Sequence, residues 1–169
     1  LGEQIVVALL ARGVRVIFRP HPFSYDFPED AETIARIQAL LEEDAQSSGR
    51  AHLWGAPAER DRTILECINA SHAMVSDVSN VVSDYLYSRK PFAMVAVPAP
   101  AEQFREEYPI ARASYVLDAN LGNLESVLDG LLENDEMAAD RDAVRAHYLG
   151  DFPAEDYAQH FVDAVHAAI

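Results

Sequence analysis

The sequence predicts an α/β fold with a doubly wound, mostly parallel sheet. Short apolar segments alternate with longer segments of helical periodicity along the whole chain. The short segments are apolar throughout, as in Phe92-Ala93-Met94-Val95-Ala96-Val97, which is typical of strands that are buried on both faces. Proline, glycine and small polar residues separate the segments. Together these observations favour a parallel sheet covered by helices on both sides.

The first half of the chain predicts three helices and two strands. Apolar residues spaced for one face indicate a first helix that ends at Gly13 and a second near residues 31–46. A β-branched strand over residues 14–19 lies between them and ends at Pro20 and Pro22. A short strand at 51–54 and a short helix at 62–69 follow.

The second half continues the alternation and becomes helical at its end. Strands are predicted near residues 73–77, 92–97 and 114–117, and a helix near 79–88 lies between the first two. Residues 98–112 are expected to be irregular. Three helices near 121–133, 136–148 and 154–168 complete the chain, which forms a single nucleotide-binding-type domain over residues 1–169.

The chain begins with a helix, where this kind of sheet normally begins with a strand. In the usual strand order of such sheets the first strand is central. We therefore expect the sequence to be a fragment of a longer protein whose first strand is missing. The fragment could compensate by pairing its strands differently or by self-association, and the sequence leaves both open.

Composition narrows the classes of function. The formal net charge of −15 argues against a nucleic-acid partner. The single cysteine, Cys67, excludes an internal disulfide and fits a cytoplasmic location, where we expect it to be a buried structural thiol. No apolar run reaches the roughly 20 residues that cross a bilayer. No spacing of His, Cys and Asp indicates a metal site, and no glycine-rich phosphate loop is present, so no cofactor is predicted.

The most informative segment is the polar turn from Ser76 to Asp84, which lies between a predicted strand and a predicted helix. In an open parallel sheet, ligands bind beyond the carboxyl ends of the strands. The start of the helix, near Ser79 or Asn80, would favour a phosphate, although an ordinary helix cap explains the same residues. The candidate ligand-binding residues here are Ser76, Asp77, Ser79, Asn80 and Asp84.

A second candidate group follows the first predicted strand, at the same edge of the sheet. His21 lies between two prolines and could donate to a phosphate or transfer a proton, or it could be a turn histidine. Arg19 could bind phosphate or pair with one of the many carboxylates. The basic pair Arg89-Lys90 ends a helix at the opposite edge and is expected to complement the helix dipole.

These segments together resemble the CDP-glycerol glycerophosphotransferase family of teichoic-acid-type polymerases. The likeness rests on Arg19-Pro20-His21-Pro22, on the run from Ser76 to Asp84 and on Lys90-Pro91. The family has Tyr and Ser where this chain has Val78 and Asn80, and its Pro-Gly-Pro signature is replaced by residues 109–113.

The resemblance implies that the chain is the carboxyl-terminal, Rossmann-like half of a GT-B enzyme. That half would bind CDP-glycerol through Arg19, Ser79 and Asn80, with His21 as the catalytic residue. A polymer or lipid-linked acceptor would bind the other domain, and the parent protein could lie at the inner face of the plasma membrane. Two alternatives stay open: a GT-B glycosyltransferase or nucleotide-sugar epimerase that uses a UDP-sugar, and a non-catalytic nucleotide-binding module.

Overall fold

The computed structural model describes residues 1–97, 99–153 and 155–168, and helices dominate it. Two short 3-10 helices, Pro22–Asp26 and Pro109–Ala113, supplement the α-helices. In chain order the α-helices are α1 (Gly2–Ala11), α2 (Pro28–Ser48), α3 (Ala56–Glu59), α4 (Ile64–Ala70), α5 (Val81–Tyr87), α6 (Ala101–Glu107), α7 (Leu124–Leu132), α8 (Ala138–Leu149) and α9 (Tyr157–Ala167).

A small parallel sheet forms the centre of the molecule. Its strands are β1 (Met74–Ser76), β2 (Phe92–Ala96) and β3 (Tyr115–Asp118), arranged in the order β1-β2-β3. Every residue of β2 is buried, which confirms the prediction of a strand covered on both faces. The α/β class is therefore confirmed, with a sheet of three strands among the described residues.

A second parallel pairing lies in the first half of the chain and consists of a single bridge. The strands expected at 14–19 and 51–54 are reduced to one bridge between Ile17 and Leu53. The Phe18 N–H donates to the Leu53 carbonyl at 2.8 Å, and the Leu53 N–H donates to the Val16 carbonyl at 3.0 Å. The ladder stops here because the Val16 N–H donates to the imidazole Nδ1 of His52, at 3.0 Å, and not to a backbone carbonyl.

Among the described residues, three clusters of buried side chains make up the core. The first lies between the sheet and α5, with Tyr85 and Phe92 at its centre. The second lies on the opposite face of the sheet, between β2 and α7. The third joins α1 and α2 to the segment around Val16. Helix α1 contributes to the second cluster through Ile5 and to the third through Val6, so it connects the sheet to the Ile17 segment.

The segment from 98 to 112, expected to be irregular, contains α6 and the second 3-10 helix; residue 98 lies outside the described part. Helix α6 is short and is bounded by Pro100 and Tyr108, so its helical periodicity spans only two turns. Its side chain Phe104 is fully buried and holds the helix against the first cluster. Packing against the sheet therefore forms a helix that local periodicity does not reveal.

Lys90 stabilises a different helix from the one expected. Its ammonium donates to the carbonyls of Ile68, Asn69 and Ser71 at the carboxyl end of α4, at 2.7–3.2 Å. The prediction that the basic pair complements the dipole of the helix it follows is therefore wrong for Lys90, whose charge meets the carbonyls of α4.

Candidate functional site at the carboxyl edge of the sheet

The polar turn lies where the sequence predicts it, between the end of β1 and the start of α5. The Ser79 carbonyl accepts the N–H of Val82 at 3.1 Å, which forms a tight turn immediately before α5. Its hydroxyl oxygen accepts the N–H of Val81 at 3.4 Å, a long and weak hydrogen bond. The N-cap position is Asn80, whose side chain makes no capping hydrogen bond, and the Ser79 hydroxyl keeps further hydrogen-bonding capacity.

The other polar side chains of this turn are not engaged by the protein. Ser76, Asp77 and Asn80 form no side-chain hydrogen bond with the part of the chain that the structure describes, and neither does Asp84 in the first turn of α5. Asp77, Asn80 and Asp84 are exposed, and Ser76 is half-buried. Hydroxyl, amide and carboxylate groups at this edge could therefore bind a ligand without first breaking a hydrogen bond to a described residue.

Arg19 has an internal role. Its guanidinium Nη1 donates to the carbonyl of Ala58 and, at 3.1 Å, to that of Arg62. The half-buried side chain thereby fastens α3 and the residues after it to the end of the Ile17 segment. Phosphate binding by Arg19 stays a prediction. It would use Nε and Nη2, because Nη1 is bound to the two carbonyls.

His21 presents one ring nitrogen to solvent. Its Nδ1 accepts the N–H of Phe23 at 3.2 Å and so caps the 3-10 helix Pro22–Asp26. This hydrogen bond requires an unprotonated Nδ1, so the proton of the neutral ring lies on Nε2. The side chain is exposed, and Nε2 has no partner among the described residues. The neutral ring can therefore donate a hydrogen bond from Nε2 to an anion at this edge, whereas donation of a proton requires the imidazolium, whose Nδ1 no longer accepts the Phe23 N–H.

A tyrosine holds the His21 turn in place. The Tyr25 hydroxyl donates to both carboxylate oxygens of Glu59, at 2.9 and 3.0 Å. Partial burial, followed by the contact with Glu59, raises the pKa of Tyr25, so the hydroxyl stays protonated at neutral pH. The turn carrying His21 and the helix α3 held by Arg19 are thus tied together.

The predicted site residues fall into two groups. Arg19 and His21 form one group with α3, and residues 76–84 form the other. No hydrogen bond, ion pair or ring contact joins the two groups in the described ranges. The structure thus assembles each group, and their convergence on one ligand stays a prediction.

A shallow cavity lies beyond the carboxyl ends of β2 and β3. Its volume is about 380 Å³. The sequence analysis did not identify Asp118 or Asn120 as candidate ligand-binding residues. Asp118 lies at the carboxyl end of β3, and Asp77 lies in the equivalent place directly after β1. This position of an aspartate at the end of a predicted strand could have identified Asp118 from the sequence. The cavity is lined by Ala96, Val97, Ala99, Pro100, Asp118, Ala119 and Asn120.

A metal-binding cluster and a helix able to span a membrane are absent from the described residues, and the single cysteine is buried. No group of three His, Cys, Asp or Glu side chains gathers as a metal site there. Across the same ranges, no helix is both long and apolar enough to cross a membrane. Cys67 is buried and its thiol points to the Ala58 carbonyl at 3.6 Å, as expected of a structural cysteine.

Comparisons with protein-family models, with curated proteins and with solved structures found no match. The likeness to glycerophosphotransferases accordingly stays a resemblance that rests on the residues themselves.

Proposed function

We propose that this chain is the donor-binding domain of a phosphotransferase that resembles the CDP-glycerol glycerophosphotransferases. The observation that carries the proposal is the polar segment at the end of β1, where Ser76, Asp77 and Asn80 have no side-chain hydrogen bond to any described residue at the carboxyl edge of a parallel sheet. The doubly wound arrangement belongs to this proposal, as does a location of the parent protein at the inner face of the plasma membrane.

The reaction would be a displacement at phosphorus. An acceptor hydroxyl attached to the second domain attacks the phosphorus that carries glycerol, and the bond from that phosphorus to the oxygen of CMP breaks. His21, as the imidazolium, transfers its Nε2 proton to that oxygen as CMP leaves, and a base of the acceptor domain takes the proton of the attacking hydroxyl. Catalysis of this kind rests mainly on positioning and on charge stabilisation.

Charge is the main physical constraint on the proposal. The chain carries a formal charge of −15, and part of the Arg19 guanidinium is already bound to carbonyl groups. The negative charge of the diphosphate would be compensated by His21 and by the backbone N–H groups of the turn. We therefore expect binding by the isolated domain to be weak.

Calorimetric titration with CDP-glycerol, CMP and UDP-glucose tests the proposal directly. CDP-glycerol should bind more tightly than UDP-glucose, and His21→Ala should weaken its binding by about tenfold, the loss of one charge-assisted hydrogen bond. His72→Ala is the matched control because His72 is exposed and precedes β1, at the opposite edge of the sheet. Stronger binding of UDP-glucose would favour the UDP-sugar enzyme.

Turnover in the parent protein separates catalysis from binding. There His21→Ala should lower kcat by about 100-fold or more, as expected for the loss of a general acid. Normal turnover of this variant, with weakened donor binding, would leave His21 as a binding residue only. Donor binding without any transfer activity in the parent protein would favour the nucleotide-binding module.

A further inference from the structure

We propose that the exposed ring of Phe23 is a stacking surface for the base of a nucleotide whose phosphate lies at His21. The inference rests on the proposed function, because it assumes a nucleotide donor and adds the residue that binds the donor's base. It joins two observations. The protein leaves an aromatic ring open to solvent, and the Nε2 of the neighbouring histidine has no partner among the described residues.

The turn that carries His21 exposes three aromatic side chains. Phe23 is 69% exposed, and Tyr25 and Phe27 are exposed as well. Full burial of a phenylalanine side chain contributes about 1.5–3 kcal/mol, and this turn forgoes that gain. Single exposed apolar residues are ordinary on protein surfaces, whereas several in one short segment form the kind of apolar patch that marks a binding site.

Phe23 lies directly beside His21. The centroids of the two rings are 5.1 Å apart, and their planes are inclined by 57°. The Phe23 N–H donates to Nδ1 of His21 at 3.2 Å, so one hydrogen bond connects the residue that offers the ring to the residue that offers Nε2–H. Since most of the Phe23 side chain is in solvent, a base can stack on its ring while a phosphate of the same nucleotide accepts from Nε2.

The stacking surface is held in place before a ligand binds. Pro22 restrains the backbone directly before Phe23. The Tyr25 hydroxyl is bonded to Glu59 of α3, and the Arg19 guanidinium fastens α3 through the Ala58 carbonyl. A surface that is already ordered loses little conformational entropy when it binds a ligand.

The charge of the chain favours the base as a main source of affinity for the donor. The formal charge is −15, and Nη1 of Arg19 is already bound to two carbonyls, so the phosphates meet a negative protein. A base is uncharged, and its stacking on an aromatic side chain contributes about 1–3 kcal/mol as measured by alanine substitution. Because every base has a flat π-face, such stacking recognises a nucleotide without selecting its base.

NMR titration of the 169-residue chain with CMP and with ribose 5-phosphate tests the inference, because the second ligand lacks a base. Phe23→Ala should weaken CMP binding by about tenfold and change ribose 5-phosphate binding by less than about twofold. Phe23→Leu keeps an apolar side chain without an aromatic face and should behave like Phe23→Ala. The matched control is Phe161→Ala, because Phe161 is 71% exposed on α9, and CMP affinity should stay within about twofold there.

A tryptophan at the same position reports stacking directly. Phe23→Trp should bind CMP at least as tightly as the unaltered chain, and stacking of the base on the indole should quench its fluorescence. Ribose 5-phosphate should cause no such quenching. Trp54 is present in both proteins, so the difference between the two titrations belongs to the substituted ring.

The outcomes separate this inference from the proposed function. Unchanged CMP affinity in Phe23→Ala would overturn the stacking role and leave the donor proposal intact. An equal loss of ribose 5-phosphate binding would also overturn it, since the ring would then act through the phosphate site. Failure of the unaltered chain to bind any of CMP, CDP-glycerol and UDP-glucose would overturn both. The same dependence on Phe23 for UDP-glucose would support stacking and change only the donor.

Discussion

Asp44 is the centre of a polar network that joins α2 to the Ile17–Leu53 pairing. Its carboxylate accepts hydrogen bonds from Arg50 and, at 2.8 Å, from Nε2 of His52. The other ring nitrogen of His52 accepts the N–H of Val16, which fixes the tautomer. One carboxylate therefore orients the imidazole that ends the backbone ladder.

The Asp44 network predicts a specific loss of stability in acid. Hydrogen bonds from Arg50 and then His52 hold the pKa of Asp44 well below its ordinary range. Since the folded-state pKa is depressed, its stabilisation is complete above the unfolded value of about 3.9 and is lost as the pH falls through the folded value. Asp44→Asn should lower stability at pH 7 and flatten its acid dependence in urea unfolding. Glu43→Gln, exposed on the same helix, should change neither.

The Arg141 side chain is only 2% exposed, so the charge of its guanidinium is buried in the protein. The guanidinium forms a two-point contact with the Asp135 carboxylate and donates through Nε to the Arg89 carbonyl at 2.9 Å. Asp135→Ala leaves this charge buried without a counterion and should cost about 3 kcal/mol of unfolding free energy. Asp142→Ala, which removes an exposed contact at 3.8 Å, should cost less than about 1 kcal/mol in the same urea titration. Equal losses in the two variants would contradict this account.

At the scale of elements, the packing of α7 on β3 depends on a glycine. A Cβ on Gly130 would lie 2.4 Å from the ring of Tyr115, closer than atoms approach without displacement. Gly130→Ala should therefore destabilise the protein by about 1–3 kcal/mol, although alanine favours an isolated helix by about 1 kcal/mol. In the Tyr115→Ala background the same change should be neutral or stabilising. Thermal unfolding of the unaltered chain and the three variants measures this reversal, and its failure to occur would place the strain elsewhere.

The elements that were predicted well have strong local signals, and those that were missed depend on distant contacts. The continuous apolar run of β2 and the helical periodicity of α2 were sufficient to predict that strand and that helix. Helix α6 was missed because its stability comes from the burial of Phe104. The strand at 14–19 was overestimated because β-branched residues favour a strand only where a neighbour pairs with it.

The candidate site was predictable in part, for the same reason. The polar residues between a predicted strand and a predicted helix indicated the turn from Ser76 to Asn80, and the structure places this turn at the end of β1. The use of the Arg19 guanidinium by two carbonyls could not be read from the sequence, because Ala58 and Arg62 are distant along the chain. A residue type indicates what a side chain can bind, and its neighbours in space decide which bond it makes.

At the scale of the whole molecule, α9 stands apart from the core. None of its described side chains is buried, and Phe161 is 71% exposed. None of the three core clusters includes a residue of this helix. Its described hydrogen bonds to the rest of the chain come from the hydroxyl of Tyr157, which donates to the Gly150 carbonyl and accepts from Arg145. The helix is therefore held by a few contacts at its first turn.

Removal of α9 should accordingly leave the fold almost unchanged. A chain that ends at Asp151 should unfold in urea within about 1 kcal/mol of the full chain, because buried apolar area supplies most of the stability and α9 contributes little. In the full chain, chymotrypsin should cut first at Tyr157 or Phe161, before any cleavage within the sheet, because local opening of a weakly packed helix exposes its backbone. The control is Phe104→Ala, which opens a core cavity and should cost about 3–5 kcal/mol. A loss of that size on truncation would mean that α9 is part of the cooperative core, and its exposed apolar face would then need another explanation.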